Sequence, residues 1–135
     1  MAKSKRAIGT SKKFAEGLAV RKAVLGDDYV NAALQSADEF NMPLQKMVTE
    51  YAWGAVWSRP GLSRKTRSLL NLAMLTALNR PHEFEIHLRG AMRNGCTREE
   101  IREVLLQAGV YCGMPAAVDG FRIARKFLAE YEAKK

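Results

Sequence analysis

Apolar residues recur along this chain at three- and four-residue intervals, and no segment alternates as a strand requires. After a basic start, "SKKFAEGLAVRKAVLG" predicts a short amphipathic helix stopped by Gly26. "DDYVNAALQSADEFN" follows, with acids in its first turn as the helix dipole prefers. Pro43 opens "PLQKMVTEYAWGAVW", because proline is best tolerated in a first turn. "SRPGL" reads as a turn, and Ser63 as the N-cap of "RKTRSLLNLAMLTALN". Pro81 starts "PHEFEIHLRGAMRNG", which Asn94-Gly95 closes as a left-handed cap. Thr97 to Glu100 has the capping-box pattern for a helix running to about Tyr111 and stopping at Gly113, after which Pro115 opens the last helix. The pattern predicts an all-α, compact bundle of six or seven helices. It forms a single domain over residues 1–135, with 1–10 a flexible basic tail.

Two helices carry more apolar surface than a lone small bundle needs. "LLNLAMLTAL" (Leu69 to Leu78) is apolar nearly all round, as a fully buried central helix would be. In the helix opened by Pro43, Leu44, Met47, Val48, Tyr51, Ala52 and Ala55 form one stripe. Glu50, Trp53, Gly54 and Trp57 form another, on a second face. The surplus face predicts a homo-oligomer.

The net charge of +8 invites a nucleic-acid reading until its location is considered. Residues 1–25 hold seven Lys and Arg against Glu16 alone, and the other 110 residues carry only +2. The excess therefore belongs to the tail and first helix, with no stacking aromatics or recognisable module, and no nucleic-acid partner is expected. Apolar runs fall far short of the ~18 residues that span a bilayer, and no apolar run follows the basic start as a secretory signal would require. Cys96 and Cys112 lack C-x-x-C spacing and a nearby His pair. They read as free thiols in a reducing cytoplasm, with no membrane partner.

Both histidines lie in the stretch from Arg80 to Gly95, where Glu83 and His87 stand one helical turn apart. His87 is flanked by Phe84, Leu88 and Ala91, on or beside the apolar face, so a histidine buried neutral with satisfied N–H groups is one reading. A proton-transfer pair is the other, since a carboxylate can fix an imidazole's tautomer and raise its basicity. One Glu and one His are too few ligands for a closed metal site. Arg64, Arg67 and Arg89 fit either ordinary surface pairing or fork-like capture of a carboxylate. Trp53 and Trp57 fit interface packing or substrate contact. Pattern alone leaves these alternatives open.

The letters add more. "EYAWGAVWSRPGLSRKTRSLLNLAMLTALNR" and "HLRGAMRNGCTREEIREVLLQAGVYCGMPAA" resemble the γ-carboxymuconolactone decarboxylase family, from about Val24 to Ala124. The W-x3-W-x-R-P-G-L, H-x-x-G-A-x-x-N-G and Y-C-G-x-P-A-A blocks carry the likeness. It implies a cofactor-free, all-helical enzyme assembled as a hexamer, within the alkylhydroperoxidase D-like superfamily. That superfamily's C-x-x-C-x-x-x-H motif, placed on His87, puts Arg80 and Glu83 where its cysteines stand, so peroxidase chemistry is not expected. Its relay glutamate falls on Ser68.

What the resemblance implies is decarboxylation of γ-carboxymuconolactone to β-ketoadipate enol-lactone and CO2 in protocatechuate breakdown. The implied partner is a small dicarboxylate lactone, with no cofactor and no metal. His87 and Glu83 are the expected catalytic pair, and Arg67, Arg89 and Trp53 the expected substrate contacts. The alternatives are action on another small carboxylactone, or a non-catalytic oligomer that binds small anions.

Overall fold

The computed structural model describes residues 11–134, and the proposed tail at 1–10 lies outside them. The described residues form seven helices and no strand. They are α1 (Lys12–Leu25), α2 (Asp27–Ser36), α3 (Met42–Met47, continuing as a π-helical segment Val48–Trp57), α4 (Arg64–Ala77), α5 (Pro81–Arg93), α6 (Arg98–Cys112) and α7 (Met114–Ala133). The expected all-α class holds. The chain gathers into two compact units that divide between Leu62 and Ser63.

In the first unit, α1 packs along the π-helical part of α3. Ser11 caps α1 by accepting from the Phe14 amide and donates to the Glu50 carboxylate. The approach is close because glycines meet there. A Cβ on Gly17 would stand 2.0 Å from the Thr49 carbonyl oxygen, and one on Gly54 would stand 2.6 Å from that of Lys13. The buried face of α3 is Thr49, Trp53, Gly54 and Trp57. Leu44, Met47 and Tyr51 of the other stripe are exposed. The tryptophan stripe therefore needs no second molecule to cover it. The wider π pitch keeps positions 49, 53, 54 and 57 on one side.

The second unit is built from α4 to α7. Leu72, Phe84, Leu88, Ala91, Ile101, Leu105, Ala124 and Leu128 form its core. The punctuation falls where the sequence places it. Ser63 accepts from the Thr66 amide, and Thr97 and Glu100 form the reciprocal capping box. Gly95 and Gly113 take positive φ of 88° and 118°, and Asn79, between α4 and α5, takes 57°. Asn tolerates that left-handed geometry better than bulkier residues do.

Helix α4 corrects the expectation of a fully buried rod. Ser68, Leu72 and Thr76 are buried, but Leu70, Met74 and Leu78 are 45%, 51% and 62% exposed. The helix buries one stripe and leaves an apolar stripe uncovered within the chain.

Candidate active site in the second unit

Burial on α5 follows its 3.6-residue period: Phe84, His87, Leu88 and Ala91 point inward, and Glu85 and Arg89 point out. His87 is 9% exposed. Burial pushes its pKa down from the ordinary 6.5 to about 4, because a charged imidazole loses its hydration there. At neutral pH the ring is uncharged and carries one proton, so it can donate a hydrogen bond without being an imidazolium acid.

Facing it across the helix pair is Asn71 of α4, whose Nδ2 lies 3.3 Å from His87 Nδ1. Glu83, one turn before His87, is exposed. The contact that the structure records at Nδ1 is therefore an amide on the neighbouring helix.

The same face of α4 carries Arg67 and Ser68, four and three residues before Asn71. Arg67 is half-buried, with its Nε shielded from solvent. Ser68 is fully buried, and its Oγ accepts from Asn94 Nδ2 at 2.9 Å. That amide also reaches the Arg64 carbonyl oxygen at 3.3 Å. The Ser68 hydroxyl thus ties the end of α5 to α4.

The remaining expected contacts are Arg89 and Trp53. Arg89 is exposed and lines a cleft of about 430 Å³ with Arg93, Tyr131 and Lys134. Two residues along a helix turn a side chain about 200° round the axis, which separates Arg89 from the His87 face. Trp53 belongs to the first unit, where it is buried with its ring centroid 4.7 Å from that of Trp57. Among the described residues, no three His, Cys, Asp or Glu side chains converge. No helix there is long and apolar enough to cross a membrane.

Sequence reasoning singled out His87 and Arg67 and passed over Asn71. Its signal was present: an amide interrupting the apolar run "LLNLAML". Asn71 is half-buried there, and its amide nitrogen lies within hydrogen-bond reach of the histidine.

Residues 43–126 match the carboxymuconolactone decarboxylase family. Over 113 residues the chain is 49% identical to a nitrosuccinic acid decarboxylase of Metarhizium robertsii, covering 84% of this chain and 79% of that protein. Over 119 residues it is 42% identical to a 4-carboxymuconolactone decarboxylase of Acinetobacter baylyi, covering 88% and 89%. An uncharacterized 15.0 kDa protein of Paracoccus denitrificans is 30% identical over 116 residues, covering 78% and 86%.

Proposed function

The chain belongs to the carboxymuconolactone decarboxylase family, and we propose that it decarboxylates a small dicarboxylate without a cofactor, with γ-carboxymuconolactone as the substrate. The observation that carries this reading is the buried, uncharged His87 on α5, facing the α4 surface that bears Arg67 and Asn71.

The chemistry asks for such groups. Breaking the bond to the departing carboxylate releases CO2 and leaves an electron pair on ring carbon. That pair delocalises through the double bond onto the lactone carbonyl, giving an oxyfuran anion, and a proton then returns to ring carbon. The substrate supplies its own electron sink, so the protein's tasks are to hold the dianion and to meet the new oxyanion with a donor. Arg67 is the proposed carboxylate clamp and His87 the oxyanion donor. Arg89 becomes the weaker clamp because it faces away from His87. Glu83 is proposed only as a relay between solvent and the site, since its carboxylate is exposed.

The 49% identity to a nitrosuccinic acid decarboxylase favours a second reading, with nitrosuccinate as substrate. The demand on the protein is the same. Loss of the carboxylate beside the nitro group puts the electron pair on nitro oxygens as a nitronate, another planar oxyanion, and carbon is then protonated. Purified protein offered each compound separately, with CO2 release and loss of substrate absorbance followed, decides between them. Turnover of γ-carboxymuconolactone supports the first reading, turnover of nitrosuccinate alone supports the second, and turnover of neither removes both.

We also propose a homo-oligomer, with a hexamer as the expected size. Support comes from the uncovered apolar stripe of α4 and from Leu44, Met47 and Tyr51 on α3. Monomeric proteins rarely leave such surface in water.

A further inference from the structure

A neutral imidazole has one proton and two nitrogens, and the partner of one nitrogen decides which of them carries it. For His87 that partner stands on α4. Asn71 Nδ2 is 3.3 Å from Nδ1, with the amide nitrogen turned toward the ring. An amide nitrogen can only donate, so Nδ1 must accept and the proton must sit on Nε2.

We propose that Asn71 is a positioning residue that holds His87 in its Nε2–H tautomer, so that the ring offers an N–H donor rather than a lone pair to a developing oxyanion. The proposal rests on the decarboxylase reading for its purpose, but not for its test.

Three observations support it. Asn71 interrupts an apolar run, where an aliphatic side chain would serve packing alone. It shares its helix face with Arg67 and with Ser68, whose bond to Asn94 fixes α4 against the end of α5. The ring lies in a site where it stays uncharged, so tautomer choice decides between donor and base. The opposite tautomer would aim a lone pair at an oxyanion, which repels it. An amide is also a better tautomer selector here than a carboxylate. A carboxylate would accept from Nδ1–H or favour the imidazolium, leaving a charged pair in a buried place.

The test is nitrogen-15 NMR of histidine-labelled protein at pH 7, without substrate. The chain has only two histidines, and exposed His82 serves as the internal reference for tautomer exchange. The expected spectrum of His87 has its unprotonated nitrogen at Nδ1. Asn71→Leu, close to isosteric, should release the preference and give a tautomer mixture. Asn71→Asp should move the proton to Nδ1. In turnover, Asn71→Leu should lower kcat about tenfold or more with KM little changed, and Asn71→Asp by ~10²-fold or more, as expected when a positioned donor is lost. A wild-type ring protonated on Nδ1, or an Asn71→Leu spectrum identical to wild type, overturns the proposal. Those spectra need no turnover, so they stand even if neither substrate is consumed. If a variant fails to fold, the wild-type spectrum alone still decides.

Discussion

Asn94, the residue that ends α5, donates through Nδ2 to Ser68 Oγ on α4 at 2.9 Å. The bond joins the two helices that carry His87 and Asn71. A buried hydroxyl in this place acts as a clamp on helix geometry. Ser68→Ala should therefore cost about 1 kcal/mol, the net worth of one such bond, with kcat within a few-fold of wild type. Urea unfolding and steady-state kinetics check it. A kcat loss of a hundredfold with intact stability would make Ser68 a participant in proton transfer instead.

The glycine crossing in the first unit leaves no room for a methyl group. A Cβ on Gly17 would lie 2.0 Å from the Thr49 carbonyl oxygen and 2.7 Å from the Gly54 amide nitrogen, both backbone atoms that cannot swing aside. Gly17→Ala should destabilise by about 3 kcal/mol, at the upper end for overpacking, despite the better helix propensity of alanine. An unchanged urea midpoint would contradict this packing.

Local punctuation was legible in the sequence because caps and breakers act within a turn. Ser63, Thr97 with Glu100, Gly95 and Gly113 all end or begin helices as their chemistry predicts. Faces were harder to read. Helical counting grouped Trp53, Gly54 and Trp57, but which of the two α3 stripes meets α1 depends on Gly17, a residue of another helix. On α4 the many leucines hid a division into a buried stripe and an exposed one. At the site, the inward turn of His87 was legible from Phe84, Leu88 and Ala91. Its amide neighbour was not, because Asn71 comes from another helix. Spacing along one helix pointed instead to Glu83, which is exposed.

The uncovered stripe of α4 makes assembly testable by residue. Light scattering should return a mass several times the 15.1 kDa of one chain. Replacing Met74, 51% exposed, by Lys should shift the particle toward smaller species, since an interface core does not tolerate an unpaired charge. A wild-type particle of one chain at micromolar concentration would contradict the oligomer.

The thiols should be separable and dispensable. Cys96 is buried, and its pKa is pushed up to about 11, first by burial and then by the Glu100 charge, so little thiolate forms. Cys112 is exposed. Iodoacetamide should label Cys112 quickly and Cys96 slowly, and labelled protein should keep its turnover, as should protein treated with a chelator. A large loss of activity from either treatment with the fold intact would contradict a mechanism that uses neither thiol nor metal.

The buried ring also sets a pH window for stability. With its folded pKa near 4 against 6.5 unfolded, His87 takes up a proton more readily in the unfolded chain. Its contribution is complete above about 6.5, is lost as pH falls toward 4, and is flat below that. At ~1.4 kcal/mol per pH unit, the window is worth about 3 kcal/mol. Urea unfolding of wild type and His87→Gln at pH 7.5 and 4.5 should show wild type losing about 2.5 kcal/mol more than the variant, most of that window. Equal losses would mean that the ring is charged in the folded state.

The central claim is that uncharged His87 donates to the oxyanion formed as CO2 leaves. Steady-state kinetics of His87→Gln on whichever dicarboxylate the wild type consumes test it most directly. The expected result is kcat lowered by ~10²–10⁴-fold with KM within a few-fold, the mark of an interaction made chiefly in the transition state. A normal kcat in a folded His87→Gln enzyme, with only its melting temperature changed, would contradict the claim and leave His87 a packing residue.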